Sequence, residues 1–294
     1  MKHTTYIVTL SIILNLVTAC RPKPIDIYVK TAPVKMVVAS SVIQDGFIIV
    51  FLSRTFSGLE GKQNQDSLGL EFFEKIAVRN AFVTISHNGI TDTLLELDGG
   101  FYGTQNLQFK EYDNYNLYAR DNTTGEEVTA TTNLLPYYQF DVIKPYKVFN
   151  GVDTTCRVYF ELSDDLTREN YYVVNYIRKE EKKTGKRIDV NRVFSGNGSS
   201  IETDFDLLND ESFTDGKYKV DKLLKSVKTS DSLAISLASI SRGYYEFLTA
   251  FKRSGSLINT LTSEPINYPT NVRNGYGYFN AYTPEILFID MKLY

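Results

Sequence analysis

Tryptophan is absent from these 294 residues, and histidine and cysteine occur only twice each. So little histidine excludes a histidine-built metal centre. His3 lies in the first residues, and His87 stands in Ser86-His87-Asn88-Gly89, a segment expected to form a surface hairpin turn. Two cysteines exclude a disulfide framework, and Cys156, in the alternating run Thr154 to Phe160, is expected to be a buried apolar thiol. Neither sign of charge dominates: 32 Lys plus Arg against 35 Asp plus Glu give a net charge of −3, so no basic stripe invites nucleic acid. There is no P-loop, no H-E-x-x-H, no G-x-S-x-G and no cysteine cluster, and neither a cofactor nor a metal is expected. Nor does any apolar run reach the ~20 residues that a spanning helix needs.

What the chain does have begins at its start. Lys2 and His3 precede an apolar stretch from Tyr6 to Leu16, which ends in Val17-Thr18-Ala19-Cys20. That order is the grammar of a signal peptide, here over residues 1–19. A Cys directly after small residues is the lipobox variant, so the Cys20 thiol is expected to carry a diacylglycerol and become the new N-terminus. Removing residues 1–19 also removes Lys2 and makes the chain one charge more negative. Residues 20–33 then read as a lipidated tether, because Pro22 and Pro24 hold the backbone extended.

Tyr (21) and Phe (18) are abundant while long helical patterns are scarce, which favours strands. Short alternating runs cover Met36 to Val42, Phe47 to Leu52, Ala81 to Ser86, Thr93 to Leu97, Asn114 to Asp121 and Glu126 to Thr132. Asp45-Gly46, Asn88-Gly89, Asp98-Gly99-Gly100 and Thr124-Gly125 punctuate them as turns. The polar stretch within Phe56 to Val78 breaks the rhythm and is expected to be a long loop with one helical turn. Leu134-Leu135-Pro136 and Lys144-Pro145 bracket an expected boundary.

A second strand series follows: Cys156 to Leu162, Tyr171 to Lys179, Arg187 to Phe194, Tyr218 to Lys225, Ser232 to Ser239 and Glu285 to Tyr294. Lys179 to Lys186 is expected to be a solvated hairpin tip. Tyr244, Phe247, Leu248 and Phe251 recur at helical spacing, predicting one amphipathic helix at about 241–254 with an aromatic face turned to the core and Gly255 as its stop. The fold class is therefore mainly β. An N-terminal Ig-like or prealbumin-like antiparallel β-sandwich is expected over residues 34–135, and a second β-sandwich carrying the helix over residues 140–294.

Asp206 to Asp215 is the densest acidic stretch and offers oxygens to a calcium ion, but it lacks the spacing of an EF-hand and is expected to be an acidic loop. Pro265 and Pro269 pin an extended segment, and Gly275 and Gly277 admit close approach beside aromatic residues. Tyr268, Asn271, Tyr276, Tyr278 and Phe279 are accordingly candidates for a partner or glycan surface. The competing expectation is that they lock this loop and the helix onto the sandwich.

Several of these segments resemble one family. Asn80 to Ile85 with its turn, Gly99-Gly100-Phe101-Tyr102, Tyr115 to Ala119, Asn170-Tyr171-Tyr172, Phe213 to Lys217 and, above all, Glu264 to Val272 with Asn274 to Phe279 are similar to the Bacteroidetes outer-membrane lipoproteins of domain of unknown function 4249. The resemblance covers nearly the whole chain after residue 19. It implies a two-part, mainly β protein on the outer membrane, often encoded beside TonB-dependent receptors, and it carries no catalytic residues. The leaflet stays open, periplasmic or cell-surface, because Arg21 and Lys23 stand where exported members often have acids. Asp66-Ser67-Leu68, Asp92-Thr93-Leu94, Asp153-Thr154-Thr155 and Asp231-Ser232-Leu233 fit the loose O-glycosylation pattern of that phylum, with Ser67 the best-placed hydroxyl.

The expected function is thus a non-enzymatic outer-membrane lipoprotein that assists a TonB-dependent transporter or captures its ligand. The alternatives are a stand-alone glycan- or peptide-binding surface lipoprotein and a carboxylate-based hydrolase. A hydrolase would need a concave site with two facing acids. A binding module would need exposed aromatic residues within Phe56 to Phe73 or Tyr268 to Tyr282.

Overall fold

Inward-facing residues at every second position organise the first half of the chain. In strand β6 (Asn114–Asp121), Tyr115, Leu117, Ala119 and Asp121 are buried while the residues between them are not. That period of two is what a strand with one face on a core requires. A computed structural model describes residues 33–43, 47–55, 74–179, 201–224, 227–254 and 268–294. Cys20, Ser67, Gly255, Arg187 to Phe194 and the Lys179 to Lys186 tip beyond Lys179 lie outside these residues.

Seven strands from the first half are β1 (Met36–Ile43), β2 (Phe47–Arg54), β3 (Ala81–His87), β4 (Ile90–Asp98), β5 (Phe101–Thr104), β6 and β7 (Glu127–Asn133). They form one sheet in the order β7-β6-β3-β4-β5-β2-β1, antiparallel throughout. Its inner face gathers Val38, Val50, Leu52, Ile85, Leu117 and Val128 around the fully buried Tyr102 and Tyr115. Each such aliphatic side chain stabilises the fold by roughly 1.5–3 kcal/mol. The Tyr102 hydroxyl keeps its polar end satisfied by donating to the Val78 carbonyl and accepting from the Ala81 N–H, both at 2.9 Å. Residues 74–76 are helical, and the rest of the stretch expected to be a long loop, residues 56–73, lies outside the described residues.

The second series comprises β8 (Val142–Phe149), β9 (Thr154–Ser163), β10 (Tyr171–Lys179), β11 (Ile201–Asn209), β12 (Lys217–Leu223) and β13 (Ser232–Ser239). Helix α1 (Arg242–Ser254), β14 (Val272–Arg273), β15 (Tyr276–Tyr278) and β16 (Glu285–Asp290) follow. A four-stranded sheet, β11-β10-β13-β16, faces a three-stranded one, β12-β9-β8. Cys156, Phe160 and Leu162 from the second sheet share a core with Tyr172, Val174, Leu208 and Ile235 from the first. This is a β-sandwich. Helix α1 covers the other face of the four-stranded sheet, where Tyr244, Tyr245 and Leu248 pack on Val173, Leu207 and Ala238. Among the described residues no helix is long and apolar enough to cross a membrane.

The mainly β reading with one long amphipathic helix near the C-terminus holds, and several local expectations change. Lys144-Pro145 lies within a strand, β8, where proline is tolerated because β8 is the outer strand of its sheet. The first residues of the acidic stretch are not loop but belong to β11. The final strand stops at Asp290 and gives way to one turn of 3-10 helix. His87 is not on the surface. The alternation that buries Val83 and Ile85 continues one residue further, so the imidazole is only 7% exposed and stacks on Tyr115 at 5.0 Å. The Asn88-Gly89 turn itself forms, with positive φ at both residues.

Candidate functional site

The C-terminal aromatic block is a clasp. β14 pairs antiparallel with β7, Val272 opposite Ala130, while β15 pairs parallel with β1, Gly277 opposite Val38. One short segment therefore occupies both ends of the first sheet, extends it to nine strands and nearly closes it. Gly275 sits at the junction: a Cβ there would come within 2.6 Å of the Met36 carbonyl oxygen and 2.8 Å of Val128. The two sheet ends also meet directly, since the Met36 N–H donates to Glu126 Oε1 at 2.8 Å.

Most of the candidate binding residues are engaged in this clasp. Asn271 Nδ2 donates to the carbonyls of Thr131 (2.9 Å) and Phe279 (2.6 Å), and its Oδ1 accepts from the Phe279 N–H (2.9 Å). Phe279 is fully buried. Tyr278 lies against Tyr244 at 5.2 Å and Phe247 at 5.6 Å, and Tyr268 meets Phe247 edge-on at 6.2 Å. Burial raises the phenol pKa of Tyr278, and a hydrogen bond with Ser241 partly offsets this. Tyr276 keeps part of its ring open beneath Lys35 Nζ, 5.3 Å from the centroid. The block thus docks helix α1 onto the first sheet, while Tyr268, Tyr276, Tyr278 and Tyr282 stay half-buried.

Concave space lies elsewhere. A groove of about 750 Å³ runs along β11, with Tyr218, Val220 and Lys222 of β12 on one side and Tyr245, Thr249, Lys252 and Arg253 of helix α1 on the other. Asp206 lies within it and is held from several directions. Lys222 Nζ donates to both carboxylate oxygens, at 2.8 and 2.6 Å, and the Tyr176 hydroxyl donates at 3.0 Å. Lys252 Nζ stands 3.7 Å away. Burial, then the Asp206 carboxylate, pushes the Tyr176 phenol pKa well up, which keeps that hydroxyl a proton donor to Asp206. Lys222 also rests 4.8 Å from the Tyr176 ring centroid, a cation–π contact.

Asp206 is the groove's one carboxylate among its described lining residues, against the cations Lys222, Lys252 and Arg253. That is an anion-receptive wall, not a pair of facing acids. The other residues of the acidic stretch also have separate tasks: Asp210 accepts the Asn170 N–H at 2.9 Å, and Asp215 adopts positive φ in the turn before Gly216. No group of three His, Cys, Asp or Glu side chains that could hold a metal ion occurs among the described residues.

A second surface feature is apolar. Phe82 (44% exposed), Leu95 (71%) and Leu97 (50%) point outward from β3 and β4. Phe82 and Leu95 stand one position beyond the paired Val83 and Leu94, Tyr118 meets Phe82 at 6.3 Å, and Leu97 covers Gly103 beside Phe47. The outer face of the first sheet thereby carries a continuous apolar strip.

Sequence reasoning singled out Asp206 but not Lys222, Lys252 or Arg253. The two helix cations carry the ordinary signature of a helix end, where the macrodipole favours positive charge, so nothing local marks them. Cys156 is buried as expected, and burial raises its thiol pKa, which makes it a poor nucleophile.

Comparison with curated proteins finds no match. A family model does match, over residues 22–285, which spans both the clasp and the groove. The chain belongs to the family described as Domain of unknown function (DUF4249).

Proposed function

We propose that this protein is a non-enzymatic, lipid-anchored binding protein of the outer membrane that captures a ligand in the groove between β11 and helix α1 and works as the accessory of a TonB-dependent β-barrel transporter. The observation that carries the reading is the groove itself. It is concave, within the ~300–1,000 Å³ range of small-ligand pockets, and it combines apolar walls with three cations around one neutralised acid. Lys222 and Tyr176 hold Asp206 as a binding wall would be held, where hydrolysis of a glycosidic bond calls for a second acid across the site. The strip at Phe82, Leu95 and Leu97 offers a surface for protein contact, since exposed apolar patches of this kind mark interaction sites. Attachment rests on Cys20 and its lipobox.

The test is purification of the lipidated protein from gently solubilised native outer membranes, with a Cys20→Ala variant alongside. A stoichiometric TonB-dependent barrel that accompanies the native protein and is lost from the variant is the expected result. Loss of the barrel from a Leu95→Glu, Leu97→Glu double variant, with the lipid retained, would assign the contact to the apolar strip. A lone monomer in the native preparation overturns the accessory role and leaves stand-alone binding of a glycan or peptide.

A further inference from the structure

The backbone of β11 gives the groove a chemical preference. β11 is the end strand of its sheet, so one of its edges has no partner strand among the described residues. Which residues present that edge follows from the neighbouring ladder. The Tyr171 carbonyl of β10 accepts the Ile240 N–H, on the β13 side, so Tyr171, and with it Val173 and Asn175, direct their backbone groups away from β11. Their register partners Asn209, Leu207 and Phe205 must therefore direct theirs away from β10, into the open edge.

Two of those three positions are closed by side chains. The Phe205 N–H donates to Asp204 Oδ1 at 2.8 Å, and its carbonyl accepts from Lys252 Nζ at 2.5 Å. The Asn209 N–H donates to Ser212 Oγ at 3.2 Å. Leu207 lies between them, lines the groove, and among the described residues has neither its N–H nor its C=O in a hydrogen bond with another strand on that side. An unpaired strand edge is a template for another strand. Along the groove the template is the rung at Leu207, flanked by β12 on one side, by a helix on the other and by cations at the Phe205 end.

We propose that the groove binds an extended acidic peptide by strand addition to β11. Its backbone pairs with the N–H and C=O of Leu207, and a carboxylate of the peptide, terminal or side-chain, meets Lys252 and Arg253. Main-chain pairing supplies affinity in this mode, and alternate side chains supply specificity. The apolar walls Tyr218, Val220 and Tyr245 receive the side chains between the acids. Arg253 makes no ion pair among the described residues, and Lys252 is 47% exposed, so both are available to a ligand's carboxylate. When the carboxylate draws Lys252 away, the Phe205 carbonyl becomes a second acceptor for the incoming strand. This inference rests on the reading of the groove as a ligand site and adds the class of ligand.

The test uses the full chain and a capped hexapeptide that alternates valine with glutamate, followed by titration calorimetry and amide hydrogen exchange. Two comparison peptides are needed: one with lysine in place of glutamate, and one N-methylated at alternate residues so that it cannot donate along one edge. Binding of the glutamate peptide should slow exchange of the Leu207 amide. N-methylation should weaken binding about tenfold, the loss expected of about one hydrogen bond made to a charged or desolvated group. The Lys252→Glu, Arg253→Glu variant should weaken it by about tenfold as well, and its circular dichroism should be that of the native protein, since both residues are exposed. Equal affinity for the N-methylated peptide, or binding without protection of Leu207, overturns strand addition. Binding of inorganic phosphate or glutarate at the groove with no binding of the peptide overturns the peptide class and leaves the groove reading intact. No perturbation of the groove amides by any of these probes overturns both.

Discussion

Replacing Asn271 by alanine separates a structural clasp from a binding surface. The side chain makes three hydrogen bonds, two to backbone groups of Phe279 and one to the Thr131 carbonyl. Each intramolecular hydrogen bond is worth about 1 kcal/mol net, and a buried partner left unpaired costs about 1–3 kcal/mol. Phe279 is fully buried, so its N–H and C=O have poor access to water. The expected loss is about 3 kcal/mol, or about 6–12 °C in the melting temperature of a domain this large. The change is read by urea unfolding with far-UV circular dichroism, and by hydrogen exchange, which should show faster exchange at residues 272–278 and in the facing strands β1 and β7.

Asn271→Asp refines the same test. It keeps the shape but presents a carboxylate to two carbonyl oxygens. The folded state then raises the introduced carboxyl's pKa above its unfolded value, about 3.9. Stability that depends on the protonated acid is present below that unfolded value and is lost as pH rises through the folded one. Measured against Asn271→Ala at each pH, Asn271→Asp should therefore be relatively best in acid and worst at neutrality. A loss under about 0.5 kcal/mol for the alanine variant, with unchanged exchange at residues 272–278, would refute the clasp.

Two further expectations follow from single positions. Gly277→Ala should be far more harmful than Gly125→Ala: Gly277 has φ of +88° and its Cβ would run into the Val38 carbonyl oxygen, whereas Gly125, at +76°, faces open space. Strain alone predicts about 1–2 kcal/mol at Gly125, and thermal melts of the pair should show a clearly larger drop at Gly277 with loss of the β1–β15 pairing. For Asp121, burial acts to raise the pKa, but the Thr123 N–H, the Thr124 hydroxyl and the Arg54 guanidinium together hold it below the usual carboxylate range. Its contribution is therefore present above about pH 4 and is lost as pH falls through the depressed folded value. Asp121→Asn should cost about 2 kcal/mol at neutral pH, the buried-pair figure discounted because Arg54 is partly exposed, and should flatten the acid limb of a stability profile.

Local pattern was enough for the strands whose two faces differ. The boundaries of β6, β10 and β13 match the expected runs residue for residue: in β6 the period of two is undisturbed, whereas β10 and β13, covered on one face by the second sheet and on the other by helix α1, read as nearly continuous apolar runs. It failed where a local rule was overridden from a distance. Asp206 to Asp215 reads as an acidic loop, and cations and a hydroxyl from other elements, Lys222, Lys252 and Tyr176, make the acids acceptable where that stretch begins in β11. Pro145 reads as a break until β8 proves to be an outer strand. β5 is four residues long and contains Gly103, too short a run to show alternation. The groove was illegible for the same reason on a larger scale: Asp206, Lys222 and Lys252 converge from three elements, and no spacing in the sequence connects them. The family resemblance did locate the clasp, but not what it does, because its pairing partners Val37 to Ala39 and Thr129 to Ala130 lie far upstream.

That separation has a consequence in time. A chain made from its N-terminus lays down β1 through β7 long before residues 272–278 exist, and until then the first sheet has two raw ends, at β1 and at β7. Completion waits for residues 272–278, about 140 residues or more beyond their partners, the slow, non-local kind of closure. Any truncation ahead of Val272 therefore yields more than a shortened protein: it leaves two sticky edges on an otherwise formed sheet, the geometry from which aggregation starts. Synthesis as far as the clasp is in this way checked by the fold itself.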